Sequence, residues 1–158
     1  MTVHEAAYGL YGAWRLALFD RSGLANFDNT AEACRRSFRV AVLAAPLFAV
    51  LEGIRLASGE QTAGPLRIFL VEFIAYAASW AAFPLVLFSI AQLLNRGDRY
   101  FRYVAAYNWT QLLQTGLVLA VGLIAELGGF PRSVSGGLSL FVTVATLTYD
   151  WFVSRTGV

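Results

Sequence analysis

The chain of 158 residues has no lysine, one cysteine and one histidine, and only 14% of its residues are charged. Each scarcity excludes something. A single cysteine, Cys34, cannot form an intramolecular disulfide, so the sequence carries no mark of an oxidising compartment. The sole imidazole, His4, stands near the start and leaves none inside the apolar segments. Histidine-ligated haem, chlorophyll, copper or zinc within a membrane is therefore not expected. Neither is Ser–His or Cys–His nucleophilic chemistry there. A carboxylate or backbone ligand to some ion stays open, but no cofactor, metal or catalytic set is expected. The pairs Gly128-Gly129 and Gly136-Gly137 lack the lysine and the strand context of a phosphate loop. The twelve basic residues are all arginine, they are dispersed, and the net charge is only +2, so nucleic acid is not an expected partner.

What is abundant is apolar surface. Apolar residues make up 58% of the chain, where soluble domains lie nearer one half. Mean hydropathy is +0.58, hard to reconcile with a water-exposed surface in a protein with so much surface for its core. The all-arginine basic set with plentiful Ala, Gly and Leu fits a GC-rich bacterial coding sequence, and a bacterial inner membrane is the expected location. The first apolar stretch, 6–19, carries Arg15, follows Glu5 and lacks a basic leader, so it does not read as a secretory signal.

A helix needs about 20 residues to cross the roughly 30 Å of hydrocarbon. Runs of that kind predict an all-α membrane bundle of four transmembrane helices at about 38–57, 66–94, 103–127 and 136–153, preceded by an amphipathic interfacial segment, 1–37. Membrane barrels are excluded because these runs are long and apolar on all sides rather than alternating with period two. The first span has the shortest apolar core and holds Pro46, Glu52 and Arg55; without it three spans remain and the termini part to opposite sides. The fourth is near the minimum length. Pro84 is the expected kink of the second.

Arg15, Arg21, Arg35, Arg36 and Arg39 precede or open the first span, and Arg96, Arg99 and Arg102 fill the second connection. This excess places both termini in the cytoplasm. Tyr100, Phe101, Tyr103, Tyr107 and Trp109 at one span's start, and Tyr149, Trp151 and Phe152 at the next one's end, would share that interface. In 6–19, Tyr8, Tyr11, Trp14, Leu18 and Phe19 share a helix face. Two readings fit: a helix in the lipid interface with Arg15 toward phosphates, or one packed on the underside of the bundle. Trp14, Arg15, Arg99, Arg102 and Tyr103 are the candidate lipid contacts, each loop arginine adding roughly 1 kcal/mol on anionic lipid. Asn29 and Glu32 have the spacing of a capping box.

Polar groups inside spans are costly in lipid and mark candidate function. Glu52 and Arg55, three apart, can pair on one helix face. Glu72 is either a proton or cation site or an interhelical tie to Arg55. Asn108, Gln111 and Thr115, with Gln114 beside them, form a stripe on the third span, and Ser139, Thr143, Thr146 and Asp150 form one on the fourth. Cross-helix hydrogen bonds of about 0.6 kcal/mol each account for such groups; if the stripes face each other, they form a polar seam. Ala75, Ala78, Ser79 and Ala82 give the second span a small-residue packing face. Cys34 lies among Arg35, Arg36 and Arg39, a setting that activates a thiol when the cysteine is accessible.

The stretch Trp14-Arg15-Leu16, Phe19-Asp20, Phe27-Asp28 and Arg36-Ser37-Phe38, leading into a span with Pro46, resembles small polytopic membrane proteins of alphaproteobacteria, some loosely called Yip1-like. The five spans and Tyr/Gly/Pro motifs of the eukaryotic Yip1 family are not found. The resemblance implies a small multispanning protein of unsettled function and no site residues.

Three functions are weighed. A non-catalytic scaffold or accessory subunit of a larger membrane complex comes first, with a protein partner or homo-oligomer beside the lipid bilayer. A small transporter or ion channel using the seam between spans three and four comes second. A membrane enzyme comes last, for want of a nucleophile–base pair.

Overall fold

A computed structural model describes residues 2–57, 64–93 and 95–157. The helices are α1 (Val3–Ala17), α2 (Ala31–Ser37), α3 (Arg39–Ala57), α4 (Pro65–Leu93), α5 (Tyr100–Leu127) and α6 (Arg132–Gly157), with short 3-10 segments at Arg21–Asn26 and Gly97–Arg99. Among the described residues there is no strand. Four stretches, Ala31–Ile54, Leu66–Leu93, Gly97–Ala125 and Ser133–Gly157, are long and apolar enough to cross a membrane. The protein is thus a multi-pass, all-α membrane protein.

The first span holds despite its proline: α3 continues for 19 residues through Pro46. Pro46 offers no N–H to the carbonyl of Val42. One residue earlier, the Ala41 carbonyl accepts the Tyr76 hydroxyl of α4 at 2.5 Å. The fourth span is not minimal but 26 residues long. Its ends, with Ser133, Ser135, Ser154 and Arg155, are polar and fall outside the apolar run, yet they remain helical.

α5 is the hub and contacts every other helix. Tyr103 to Ala106 and Asn108 to Thr110, in its first half, are all buried except half-buried Tyr107. Around them close Leu16 of α1, Phe27, Val40 of α3, Leu87 of α4, and Phe152 and Val153 of α6. The core therefore lies at one end of the bundle. Tyr149 of α6 donates to the Ala13 carbonyl at 2.6 Å, which brings the N-terminal segment and the end of α6 to the same side.

α1 starts with a capping box that the sequence reading passed over. Thr2 accepts from the Glu5 N–H at 3.2 Å, and Glu5 accepts from the Thr2 N–H at 2.8 Å. Packing on the bundle, one of the two readings of this helix, holds for one of its faces. Gly9, Gly12, Ala13 and Leu16 are buried against the bundle, while Tyr8, Tyr11 and Trp14 are more than half exposed. A Cβ on Gly9 would overlap the Trp109 ring, so glycine is what lets α1 approach α5.

The capping box expected at Asn29 and Glu32 is corrected. Thr30 caps α2 by accepting from Ala33 N–H at 3.1 Å, and Glu32 pairs with Arg35. Asn29 caps another helix: its Oδ1 accepts the Arg102 N–H in the first turn of α5 at 3.0 Å, and its amide donates to the Asp98 carbonyl. The small-residue packing face of α4 is corrected too. Ala75, Ala78, Ser79 and Ala82 are exposed, and the stripe turned to the bundle is Tyr76, Trp80, Phe83, Leu87 and Ala91. Phe83 stacks on Tyr107 with ring centroids 4.0 Å apart, and bulky stacked rings hold α4 off at a distance that small residues cannot bridge.

Candidate functional site

Between α3, α4 and α5 lies a cavity of about 310 Å³. α4 contributes Glu72, Tyr76, Ser79 and Trp80, where steps of four, three and one keep the side chains within one broad face. α5 contributes Tyr107, Gln111 and Thr115, again at steps of four. α3 contributes Phe48. Phe48 and Ser79 are the middle residues of α3 and α4, and Gln111 lies within a turn of the middle of α5. The cavity thus lies near the midpoints of these three helices. Pro46 and Pro84 both fall within about a turn of it along α3 and α4.

The bonding of its hydroxyls is one-sided. Tyr76 donates to the Ala41 carbonyl, Ser79 to the Tyr76 carbonyl at 2.7 Å, and Thr115 to the Gln111 carbonyl at 2.8 Å. Their hydrogens are engaged with backbone, and their lone pairs remain. The Glu72 carboxylate adds two acceptor oxygens. No arginine or histidine is among the described residues lining the cavity. Phe48 and Tyr76 pack with centroids 4.6 Å apart, and Tyr76 meets Trp80 edge to face at 6.1 Å.

The candidate residues divide as follows. Glu72, Gln111 and Thr115, drawn from two separate sets, meet at this cavity. Asn108 does not join them. It is fully buried and donates to Ser37 Oγ at 2.9 Å, while Ser37 donates to the Cys34 carbonyl at 2.6 Å, tying α5 to α2. Its Oδ1 is buried with no partner among the described residues. Among the described residues the expected seam between spans three and four forms at a single contact, Gln114 with Asp150. Thr143 and Thr146 donate back to the Ser139 and Thr143 carbonyls of their own helix. α5 and α6 are joined by Gln114, which donates to Asp150 at 2.7 Å, and by Tyr103 with Ser154 at 2.6 Å. The reason is rotational: α5 carries polar groups on several sides, and packing against three neighbours turns Gln111 and Thr115 toward α4.

Glu52 is buried on α3. The side chain of Arg55 lies outside the described ones, and with it the expected Glu52–Arg55 pair and the Glu72–Arg55 tie. Of the candidate lipid contacts, Trp14, Arg99 and Arg102 are exposed. Tyr103 is not one; it is fully buried in the core. Arg15 folds back on Asp20, with Nε to Oδ2 at 2.7 Å, rather than standing free for phosphate. Cys34 is buried, so the neighbouring arginines do not make it an accessible thiol. Four ring residues, Phe48, Tyr76, Trp80 and Tyr107, were missed as site residues. The signal available was the Glu72–Tyr76 step of four, which puts a ring beside the one carboxylate in the apolar body of the second span.

Fold and cavity together define a small polytopic helical membrane protein with a polar, aromatic-walled cavity near the midpoints of three of its helices. No family model, no curated protein and no solved structure matches the chain.

Proposed function

We propose that the protein is a small, non-enzymatic solute carrier of a bacterial inner membrane, with its termini in the cytoplasm and the α3–α4–α5 cavity as its solute site. One observation favours the carrier over the scaffold that was expected first: a carboxylate, an amide and the hydroxyls of Tyr76, Ser79, Tyr107 and Thr115, from two helices, line one cavity near the middle of the helices. A carboxylate inside a span is costly unless it serves a pathway or a partner. A helix pair held only by packing has no need of a chamber. Pro46 and Pro84, in two of the three walls, each leave a carbonyl of the preceding turn without its helix donor beside the cavity.

The test is electrogenic or flux measurement on proteoliposomes, with a panel of inorganic monocations, organic cations and organic anions. At least one class should give a signal that disappears in Glu72→Gln and falls in Gln111→Leu, while Thr143→Val, at an exposed position of α6 bonded only to its own helix, keeps it. Silence across the panel, or signals indifferent to Glu72→Gln, would overturn the carrier reading.

The accessory-subunit reading draws on a different observation. α4 leaves Phe69, Phe73, Ile74, Leu85 and Val86 exposed, so most of its circumference is free to meet lipid or another chain. Mass spectrometry of the protein extracted with native lipid distinguishes the two: a stoichiometric protein partner favours the subunit, and a lone chain or homo-oligomer favours the carrier.

A further inference from the structure

We infer that the ligand of the α3–α4–α5 cavity is a small organic monocation, of the substituted-ammonium kind, held between the Glu72 carboxylate and the rings of Tyr76, Trp80 and Tyr107. The inference rests on the carrier reading and names its solute class. Three features converge on it. The first is charge: among the described residues the lining holds one carboxylate and no cationic side chain, which makes this set electronegative. The second is hydrogen-bond polarity. The hydroxyl hydrogens of Tyr76, Ser79 and Thr115 all go to backbone carbonyls, leaving lone pairs toward any guest. Beside the Glu72 carboxylate these oxygens suit a cation or a donor, while the donors at the lining are the Gln111 amide, the Trp80 N–H and the Tyr107 hydroxyl. The third is the wall. A bare metal cation asks for several oxygen ligands at short range, whereas here four of the lining side chains are aromatic. A ring quadrupole attracts a cation at its face, and alkylated ammonium groups are the ligands recognised by aromatic cages. Volume sets the size class: about 310 Å³ is at the lower end of the roughly 300–1,000 Å³ of ligand pockets.

The experiment is saturation binding of radiolabelled tetraethylammonium to the full-length protein in detergent, by scintillation proximity. One saturable site is expected. Glu72→Gln should weaken it at least about tenfold, the scale of one lost desolvated charge contact. Trp80→Leu should weaken it several-fold, while Trp80→Phe, which keeps a ring, should retain most of the affinity. Potassium at equal concentration should not displace the probe. A second measurement does not depend on how the variants fold: in the unaltered protein, tetraethylammonium should protect Glu72 from carbodiimide labelling, read by mass spectrometry. Absence of saturable binding, binding unchanged in Glu72→Gln, or labelling of Glu72 unaffected by the probe would each overturn the assignment. If the proteoliposome panel responds only to inorganic cations or to anions, the organic-cation assignment falls while the carrier reading stands.

Discussion

At the end of the bundle where α5 begins, three layers of chain close on one helix. α1 lays Gly9 against Trp109, Asn29 reaches across to cap α5, and Tyr149 bonds to the backbone of α1. Toward the middle, the same α5 meets α4 through the stacked rings of Phe83 and Tyr107, α4 meets α3 through Tyr76 and Phe48, and a cavity is left among the three helices. Gly116, Gly136 and Gly137 face open space. The polar groups divide in the same way. In the dense end, Asn108 and Ser37 are locked into a bonded chain. In the open part, Glu72 and Gln111 are half-buried at a cavity. One region is built for uniqueness of packing. The other keeps polar groups near each other without joining them, which is the condition for admitting a guest.

The sharpest way to break this contrast is to add the same methyl group to both regions. Gly9→Ala drives a Cβ into the Trp109 ring and should destabilise the protein by about 1–3 kcal/mol, the usual cost of overpacking. Gly116→Ala meets nothing within 4 Å and should stabilise by about 0.5–1 kcal/mol, because alanine loses less backbone entropy than glycine in a helix. Thermal unfolding in detergent reads both. Equal and opposite-to-expected shifts would mean that the two ends are packed alike.

A smaller effect separates long-range from local capping. Asn29→Ala removes the Arg102 cap and should cost about 1 kcal/mol. Hydrogen exchange should rise at the first turn of α5, 100–103, and not at α2, which Thr30 caps. If α2 frays instead, the local capping box read from Asn29 and Glu32 is the one that operates.

These residues also mark how far the chain was legible. α4 was placed to within a residue at each end, because a long apolar run fixes a span whatever packs around it. α6 was read four residues short at each end, since polar helix ends carry no hydropathy signal. Glu72, Gln111 and Thr115 were visible as polar groups in apolar runs. Their meeting was not, because the rotation of α5 about its axis is set by neighbours rather than by its own periodicity. The aromatic wall went unread for a plainer reason: tyrosine and tryptophan in a span look the same whether they face lipid, core or cavity. Asn29 shows the limit of local motifs, since its partner lies 73 residues away.

The smallest effect probes how the dense end is fastened at its outer edge. The Thr2 backbone N–H, with the charge of Arg36 3.6 Å away, holds the Glu5 carboxyl below its ordinary range. The Ser22 hydroxyl and N–H, followed by Arg15, do the same for Asp20. A depressed folded value means that each group favours the folded segment above its unfolded value, about 4.3 for Glu and 3.9 for Asp, and loses that contribution as pH falls through the folded one. Both carboxylates are exposed, so water and salt screen them and the change should be a loosening of α1 and its following turn rather than unfolding. Limited proteolysis with pepsin measures it. Cleavage around Leu18 and Phe19 should increase as pH drops below about 4. Asp20→Asn should be cut as readily at pH 5, because the Arg15 clasp is already gone. If the unaltered protein and Asp20→Asn are cut alike at both pH values, α1 is held by its glycine face alone and the carboxylates contribute nothing to the fastening.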